Sequence, residues 1–390
     1  MLIVNLTFIV LYMGTLTVIY SYSMYLLMVI HLQLKLFTVG PVACYPQVLE
    51  EMGRQMFSHR SKDYIDLHKD LTFLLKEFLE TDGEIFFFPS SGTGFMEASV
   101  RNCVERKMLI CVNGSFGERY VEVARANGKE VVVLETQLGE PTMPDVLDDY
   151  LRRNPDVEAV AITHNETSVG LINPLEKLAS VVKSHGKLLF VDAVSSMGGV
   201  DIKVDKWGID VCFTSSQKCF GIPPGLAVAS VSAEALKKSA NMRNKGWYFD
   251  FILYKKYNEE FNVPTTPPIP QMLGLRRILR MIRDEWGGKY KYFELYRERN
   301  RIIREGVEKI GLTLFPRKGF ESPTVSCINA PKGMSGDEVY EAMRARGFEL
   351  ARGYGKVRGK TFRIGNMGYI EFKDIYEMLK NLEEVVKSKS

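Results

Sequence analysis

Histidine, cysteine and net charge are all scarce in this chain of 390 residues, and each scarcity removes a class of function. The five histidines are scattered and form no H-E-x-x-H pattern, so nothing points to a metal enzyme. The six cysteines (Cys44, Cys103, Cys111, Cys212, Cys219 and Cys327) include no C-x-x-C pair, and several lie in apolar runs. They read as reduced core residues of a cytosolic protein, not as a disulfide framework or a zinc site. The formal net charge is only +4, with Lys and Arg spread among Asp and Glu, so no nucleic-acid footprint stands out. The most basic stretch, residues 275–283, has Leu275, Ile278, Leu279 and Ile282 at helical spacing, the pattern of a helix with one solvated face. There is no internal repeat and no low-complexity tail.

Charge is missing altogether from residues 1–30. That stretch is long enough to span a bilayer, which needs ~20 mostly apolar residues. Against a span stand its many hydroxyls, from Thr7 to Tyr25, and its short connection to Gly40-Pro41. No Lys or Arg precedes it, so the charged start of a secretory signal is missing as well. We expect residues 1–34 to be an apolar extension packed on the body, or on a dimer partner, of a soluble cytoplasmic protein. A membrane anchor is one alternative. A start site assigned upstream of the true one, given Met13, Met24 and Met28, is another.

What is present is the balance of an ordinary globular chain, 46% hydrophobic and 25% charged, with room for two domains. Short apolar runs at 84–88, 108–112, 130–134, 159–163, 188–191, 211–214 and 226–230 predict strands, separated by segments of helical periodicity. Strands alternating with helices predict an α/β domain with a mostly parallel sheet. Leu67, Leu71, Leu74 and Phe78 mark an amphipathic helix before it. After the proline-rich stretch 264–270, long helical runs lead to strands near 324–328 and 361–364. A last helix carries Ile375, Met378, Leu379, Leu382 and Val386 on one face. The expected division is a large α/β domain over 35–284 and a small C-terminal α+β domain over 285–390.

Six motifs follow strands or lie in them, one of which, His164-Asn165-Glu166-Thr167-Ser168-Val169-Gly170, supplies hydroxyl and amide donors. Lys218, in Ser215-Ser216-Gln217-Lys218, leaves an apolar strand within a small hydroxyl-lined loop. Burial would lower its pKa and let a neutral amine form a Schiff base with a carbonyl. Taken alone, an ordinary surface lysine is the better reading. Pro89-Ser90-Ser91-Gly92-Thr93-Gly94 stands between a strand and a helix, where free N–H groups favour an anion, although such turns are often only structural. Asp192 ends the 188–191 strand and faces the crevice where α/β sheets bind ligands, or else caps a helix. Phe116 lies in the glycine-flanked turn Asn113-Gly114-Ser115-Phe116-Gly117, and could be core packing. Arg363, in Thr361-Phe362-Arg363-Ile364-Gly365, sits inside an apolar strand and needs an anionic partner, from a substrate or from a structural Asp or Glu.

In order and spacing, S-G-T-G, N-G-S-F-G, H-N-E-T-S-x-G, V-D-A-V-S-S, S-S-Q-K and F-R-I-G resemble the class V aminotransferases of the fold type I pyridoxal-phosphate enzymes. Within that class the serine–pyruvate and alanine–glyoxylate group, especially its archaeal members, is most similar. The resemblance runs from Lys35 to the C-terminus and takes in residues 35–41 and 57–61. It implies pyridoxal 5'-phosphate held on Lys218 as a Schiff base, with Gln217, Ser91, Gly92 and Thr93 at the phosphate. Phe116 and Val194 would flank the ring, Asp192 would pair with its nitrogen, and Thr167 would donate near its phenolic oxygen. Thr266 would reach the phosphate from a neighbouring subunit, which implies a homodimer with shared active sites. Arg363, assisted by the backbone near Gly40, would hold the substrate carboxylate. The implied reaction moves the amino group of serine or alanine to pyruvate or glyoxylate, with Lys218 as proton shuttle.

Two positions depart from the group: Phe116 where a tryptophan is common, and Val263 where some members have an aromatic phosphate contact. An aspartate aminotransferase, a cysteine-desulfurase-like lyase and a membrane-tethered non-catalytic relative are the competing expectations. The desulfurase would need a nucleophilic cysteine on a mobile loop, and Cys327, the one cysteine of the expected small domain, lies inside an apolar strand.

Overall fold

The computed structural model describes residues 34–388, so the expected apolar extension and its alternatives lie, but for Leu34, outside the described residues. Among the described residues no helix is long and apolar enough to cross a membrane. Seven runs rich in Val, Ile, Phe and Ala form the central sheet. They are β1 (Glu84–Phe88), β2 (Lys107–Val112), β3 (Glu130–Glu135), β4 (Ala159–Thr163), β5 (Leu188–Asp192), β6 (Val211–Ser215) and β7 (Ala227–Val231). Each lies within one residue of its expected position. The spatial order is β3-β2-β4-β5-β6-β7-β1. Only β7 runs antiparallel to its neighbours. Helices cover both faces of a sheet of this kind, which is why its strands read as continuous apolar runs.

Two helices precede the sheet, α1 (Pro46–Met52) and α2 (Lys62–Leu79). Leu67, Leu71, Leu74 and Phe78 of α2 are buried, as their spacing predicts. The sheet is interleaved with α3 (Gly92–Cys103), α4 (Ser115–Ala126), α5 (Pro144–Arg153) and α6 (Leu175–Ser184), and followed by α7 (Ala233–Ala240), α8 (Phe251–Asn258) and α9 (Ile269–Arg280). On α9 and the π turn after it Leu275, Ile278, Leu279 and Ile282 are buried, while Arg277 and Arg280 pair with Glu285 and Asp70. The basic stretch is a solvated helix face.

Helix α10 (Lys289–Lys309) leads into a second layer: β8 (Val325–Asn329), α11 (Gly336–Arg344), β9 (Ala351–Arg352), β10 (Thr361–Gly365) and α12 (Phe372–Lys387). The strands form a sheet ordered β8-β10-β9, antiparallel throughout, with β10 in the middle. A capping box of Ser335 and Glu338 starts α11. Two main apolar cores result. Tyr292, Phe293 and Tyr296 of α10 pack in the larger, and Ile302, Ile303 and Val307 in the smaller. Phe37 also packs in the smaller core, because Lys35–Leu36 pairs in parallel with Phe348–Glu349.

This topology positions a site. The parallel strands β1, β2, β4, β5 and β6 all end on one edge of the sheet. Ser91, Phe116, Thr167, Asp192 and Lys218 follow those ends, in the crevice where open α/β sheets bind ligands.

Candidate active site

Lys218 follows β6 in a loop that returns to the sheet. Ser216 closes that loop, its N–H on the Leu226 carbonyl and its hydroxyl on the Pro223 carbonyl at 2.9 and 2.8 Å. The side chain is buried, with 7% exposure, so the surface-lysine reading does not hold. Its amine donates to the Val39 carbonyl at 2.5 Å. Burial lowers its pKa to about 8, and the Arg363 guanidinium adds to the effect. Gly40 stands against it. A Cβ built there would meet Lys218 Cδ, Cε and Nζ at 2.6, 2.8 and 2.9 Å, at a φ of +106°.

Ser91 is the extended N-cap of α3, and no side chain caps the first turn. A Cβ on Gly92 would run into Val194 Cγ2 and lie 3.7 Å from Ser215 Oγ. The Gly92 turn, Val194 and the end of β6 are therefore packed together. Ser215 Oγ and Gln217 Oε1 are buried without a partner, which is unusual for polar atoms inside a fold. An anion bearing several oxygens can accept from the Ser215 hydroxyl together with the uncapped N–H groups of α3.

Asp192 ends β5 with 3% exposure. Its Oδ1 accepts the Val194 N–H at 2.9 Å, so it caps a turn; no helix follows. Desolvation raises its pKa to about 7 against the lowering effect of that hydrogen bond. Phe116 lies in the first turn of α4, half-buried, not in a free-standing loop. Its ring is faced by Tyr354 at 6.0 Å and 17°, and by the Arg119 guanidinium at 4.8 Å. The partner that an exposed ring would lack comes from the second layer. Thr167 donates through Oγ1 to Ser195 Oγ at 2.7 Å.

Arg363 is in the central strand of the small sheet, paired with Cys327 on one side and Ala351 on the other. It is 6% exposed. Nε donates to the Arg352 carbonyl and Nη1 to the Thr167 carbonyl, both at 3.0 Å. Among the described residues it forms no ion pair, so the structural Asp or Glu considered above is not found. A cavity of about 590 Å3, lined in part by Arg352, Tyr354 and Arg358, reaches Arg363.

Thr266 stands apart. It is exposed before α9, and no hydrogen bond or ring contact links it to the other residues named here.

Several residues that organise this site escaped notice as single letters. Glu166 is fully buried, and burial raises its pKa. It accepts the Phe116 and Gly117 N–H groups on Oε2 at 3.0 and 3.2 Å, and the Ser168 N–H and hydroxyl on Oε1. Ser195 accepts from Thr167 and Asn165 and donates to the Asn165 carbonyl. The available signal was an acid and a hydroxyl that each closely follow a buried apolar strand run.

These groups fit pyridoxal phosphate. The uncapped α3 turn with its orphaned Ser215 hydroxyl, a free donor, suits a phosphate. A buried amine with a lowered pKa suits a carbonyl, and a buried carboxyl suits a ring nitrogen.

The class V aminotransferase family model matches residues 45–356. A serine–glyoxylate aminotransferase of Methylorubrum extorquens is 35% identical over 85% of this chain and 86% of that protein. An uncharacterized aminotransferase of Methanocaldococcus jannaschii is 34% identical over 89% and 91%. Among solved structures, alanine–glyoxylate aminotransferase from Nostoc sp. superposes with a TM-score of 0.86 at 31% identity, covering 91% of this chain and 95% of its own. With that extent of match on the geometry above, the chain belongs to the class V aminotransferase family and is a fold type I, pyridoxal-phosphate-dependent transaminase.

Proposed function

We propose that this transaminase moves the amino group of a small amino acid, serine or alanine, to a 2-oxo acid, glyoxylate or pyruvate. The carrying observation is Arg363, a buried guanidinium with no acidic partner among the described residues, whose charge acts on the Lys218 amine. A substrate carboxylate supplies the missing partner. The donors and acceptors named for the Methylorubrum and Nostoc relatives support the choice of substrates.

In this reading Lys218 holds the cofactor covalently through Nζ. The N-terminal turn of α3 at Ser91, Gly92 and Thr93 binds the phosphate with Gln217, and Phe116 and Val194 flank the ring. Asp192 holds the ring-nitrogen proton, and Thr167 donates at the phenolic oxygen. When bound, the cofactor supplies an electron sink for the carbanion formed at the substrate α-carbon. The chain does the rest. Arg363, with the backbone near Gly40, grips the α-carboxylate and orients the Cα–H bond. Lys218 Nζ would take the Cα proton as general base and later return a proton. Burial favours its neutral, proton-accepting form.

The exposed position of Thr266 fits donation to a second subunit's site in a homodimer, and we place the enzyme in the cytoplasm. Residues 35–284 form its large domain and 285–390 its small one. The desulfurase reading is disfavoured by Cys327, fully buried in β8 with its thiol pKa pushed up to about 11.

The test is optical. Purified protein with pyridoxal phosphate is expected to show a visible band that serine or alanine bleaches and glyoxylate or pyruvate restores. A band that no amino acid bleaches would end this reading.

A further inference from the structure

Helix α10 carries Tyr292, Tyr296, Arg299 and Asn300, all buried, along one stripe. Buried polar groups need partners, and those of this stripe join two halves of the site. The Tyr292 and Tyr296 hydroxyls both donate to the Cys219 carbonyl, at 2.8 and 2.6 Å. That carbonyl is one residue beyond Lys218. The Tyr296 hydroxyl also accepts the Gly368 N–H at 3.4 Å. Arg299 donates to the Gly368 and Ile370 carbonyls at 3.0 and 2.5 Å. Asn366 Nδ2 donates to the Tyr296 carbonyl at 3.0 Å.

Residues 366–370 continue directly from β10, the strand of Arg363. They also meet the other two segments of the site. A Cβ on Gly221 would lie 3.2 Å from Gly368 Cα, and the Tyr369 N–H donates to the Ala43 carbonyl at 2.8 Å. The chain segments bearing Lys218, Arg363 and Gly40 thus converge beside Tyr296.

We propose that Tyr296 is a positioning residue, whose hydroxyl bridges the backbone beside Lys218 to the backbone beyond Arg363 and sets the separation of amine and guanidinium. It touches neither substrate nor cofactor, and the roles of Lys218 and Arg363 rest on the proposed function. Placement matters because an error of about 1 Å in a reacting group can cost about a hundredfold in rate. Tyr292 is the internal control. Its hydroxyl reaches Cys219 and Tyr296, but makes no bond to the Arg363 segment.

The experiment uses the holoenzyme and the variants Tyr296→Phe, Tyr292→Phe, Arg363→Lys and the two Phe–Lys doubles. Binding of propionate, an unreactive carboxylate, is measured by calorimetry beside kcat, KM and thermal unfolding. Tyr296→Phe is expected to weaken propionate about threefold or more, and that loss should vanish in the Arg363→Lys background. Tyr292→Phe should leave propionate binding unchanged while losing similar stability. Equal effects of the two Phe variants, or full additivity with Arg363→Lys, would overturn the proposal. So would propionate binding that ignores Arg363. If Tyr296→Phe fails to fold, Asn366→Ala takes its place with the same expectation, since it removes the segment's bond to the Tyr296 carbonyl and so loosens the contact that the hydroxyl bridges. Arg363-dependent propionate binding without turnover of any amino acid would instead refute the proposed function, and the bridge would still be decided by the binding data.

Discussion

The Lys218 amine donates to the carbonyl of Val39, 179 residues away in sequence. The contact brings the start of the described chain, tied to the second layer by the pairing of Lys35–Leu36 with Phe348–Glu349, across Lys218. Gly40 permits it, being the residue whose absent side chain leaves room for the lysine stem. Gly40→Ala is therefore expected to displace Lys218 and strain a left-handed backbone position. Cofactor attachment, read as the visible band, should fall sharply while far-ultraviolet circular dichroism stays native. A normal band in this variant would show that the lysine has more room than the geometry allows.

In the proposed mechanism Lys218→Ala removes both the covalent anchor and the base. Transamination should drop by roughly a thousandfold or more, and the visible band of the bound cofactor should be lost. Retained turnover would contradict the proton route through Nζ.

Asp192 and Lys218 make opposite pH predictions for the coenzyme-free protein. The Asp192 pKa rises on folding from 3.8 to about 7, so the native state binds more protons than the unfolded chain in that window. Its contribution to stability is lost as pH rises from about 4 to 7. The Lys218 pKa falls from 10.5 to about 8, so there the unfolded chain binds more protons, and stability is regained as pH rises from about 8 to 10.5. Asp192→Asn should therefore raise the Tm of the coenzyme-free protein above pH 7 relative to its effect near pH 4, while slowing turnover of the holoenzyme. A pH-independent Tm difference would rule out the raised carboxyl.

Arg363→Ala should raise the KM for the amino donor by roughly 10- to 100-fold, as expected for losing charged hydrogen bonds of about 1.5–3 kcal/mol. Steady-state kinetics over a range of donor concentrations measures it. An unchanged KM would move the carboxylate site elsewhere.

Cys327→Ala should cost about 1 kcal/mol of stability and leave transamination within about twofold of the parent. Sulfide release from cysteine that disappears in this variant would reinstate the desulfurase.

Much of the fold was legible because its signals are local. The strands around the site are continuous apolar runs, and such runs reveal buried strands wherever they stand in the chain. The motif residues were legible for a related reason, since most of them follow directly from strand ends, where a parallel sheet exposes its ligand edge. Glu166 and Ser195 were harder to see. Their importance lies in the hydrogen bonds they collect from Phe116, Gly117, Thr167 and Asn165, and those partners come from separate loops.

By itself the sequence determined the alternation of strands and helices, and the order in which Lys218, Asp192 and Arg363 occur beside or within the strands. Only the tertiary structure decided that Lys218 is buried under Val39, that Arg363 lacks an acidic partner among the described residues, and that Tyr354 covers Phe116. It alone brought Tyr296 between Cys219 and Gly368. Periodicity and residue type are properties of short windows, whereas burial and pairing depend on what long-range packing places beside each group.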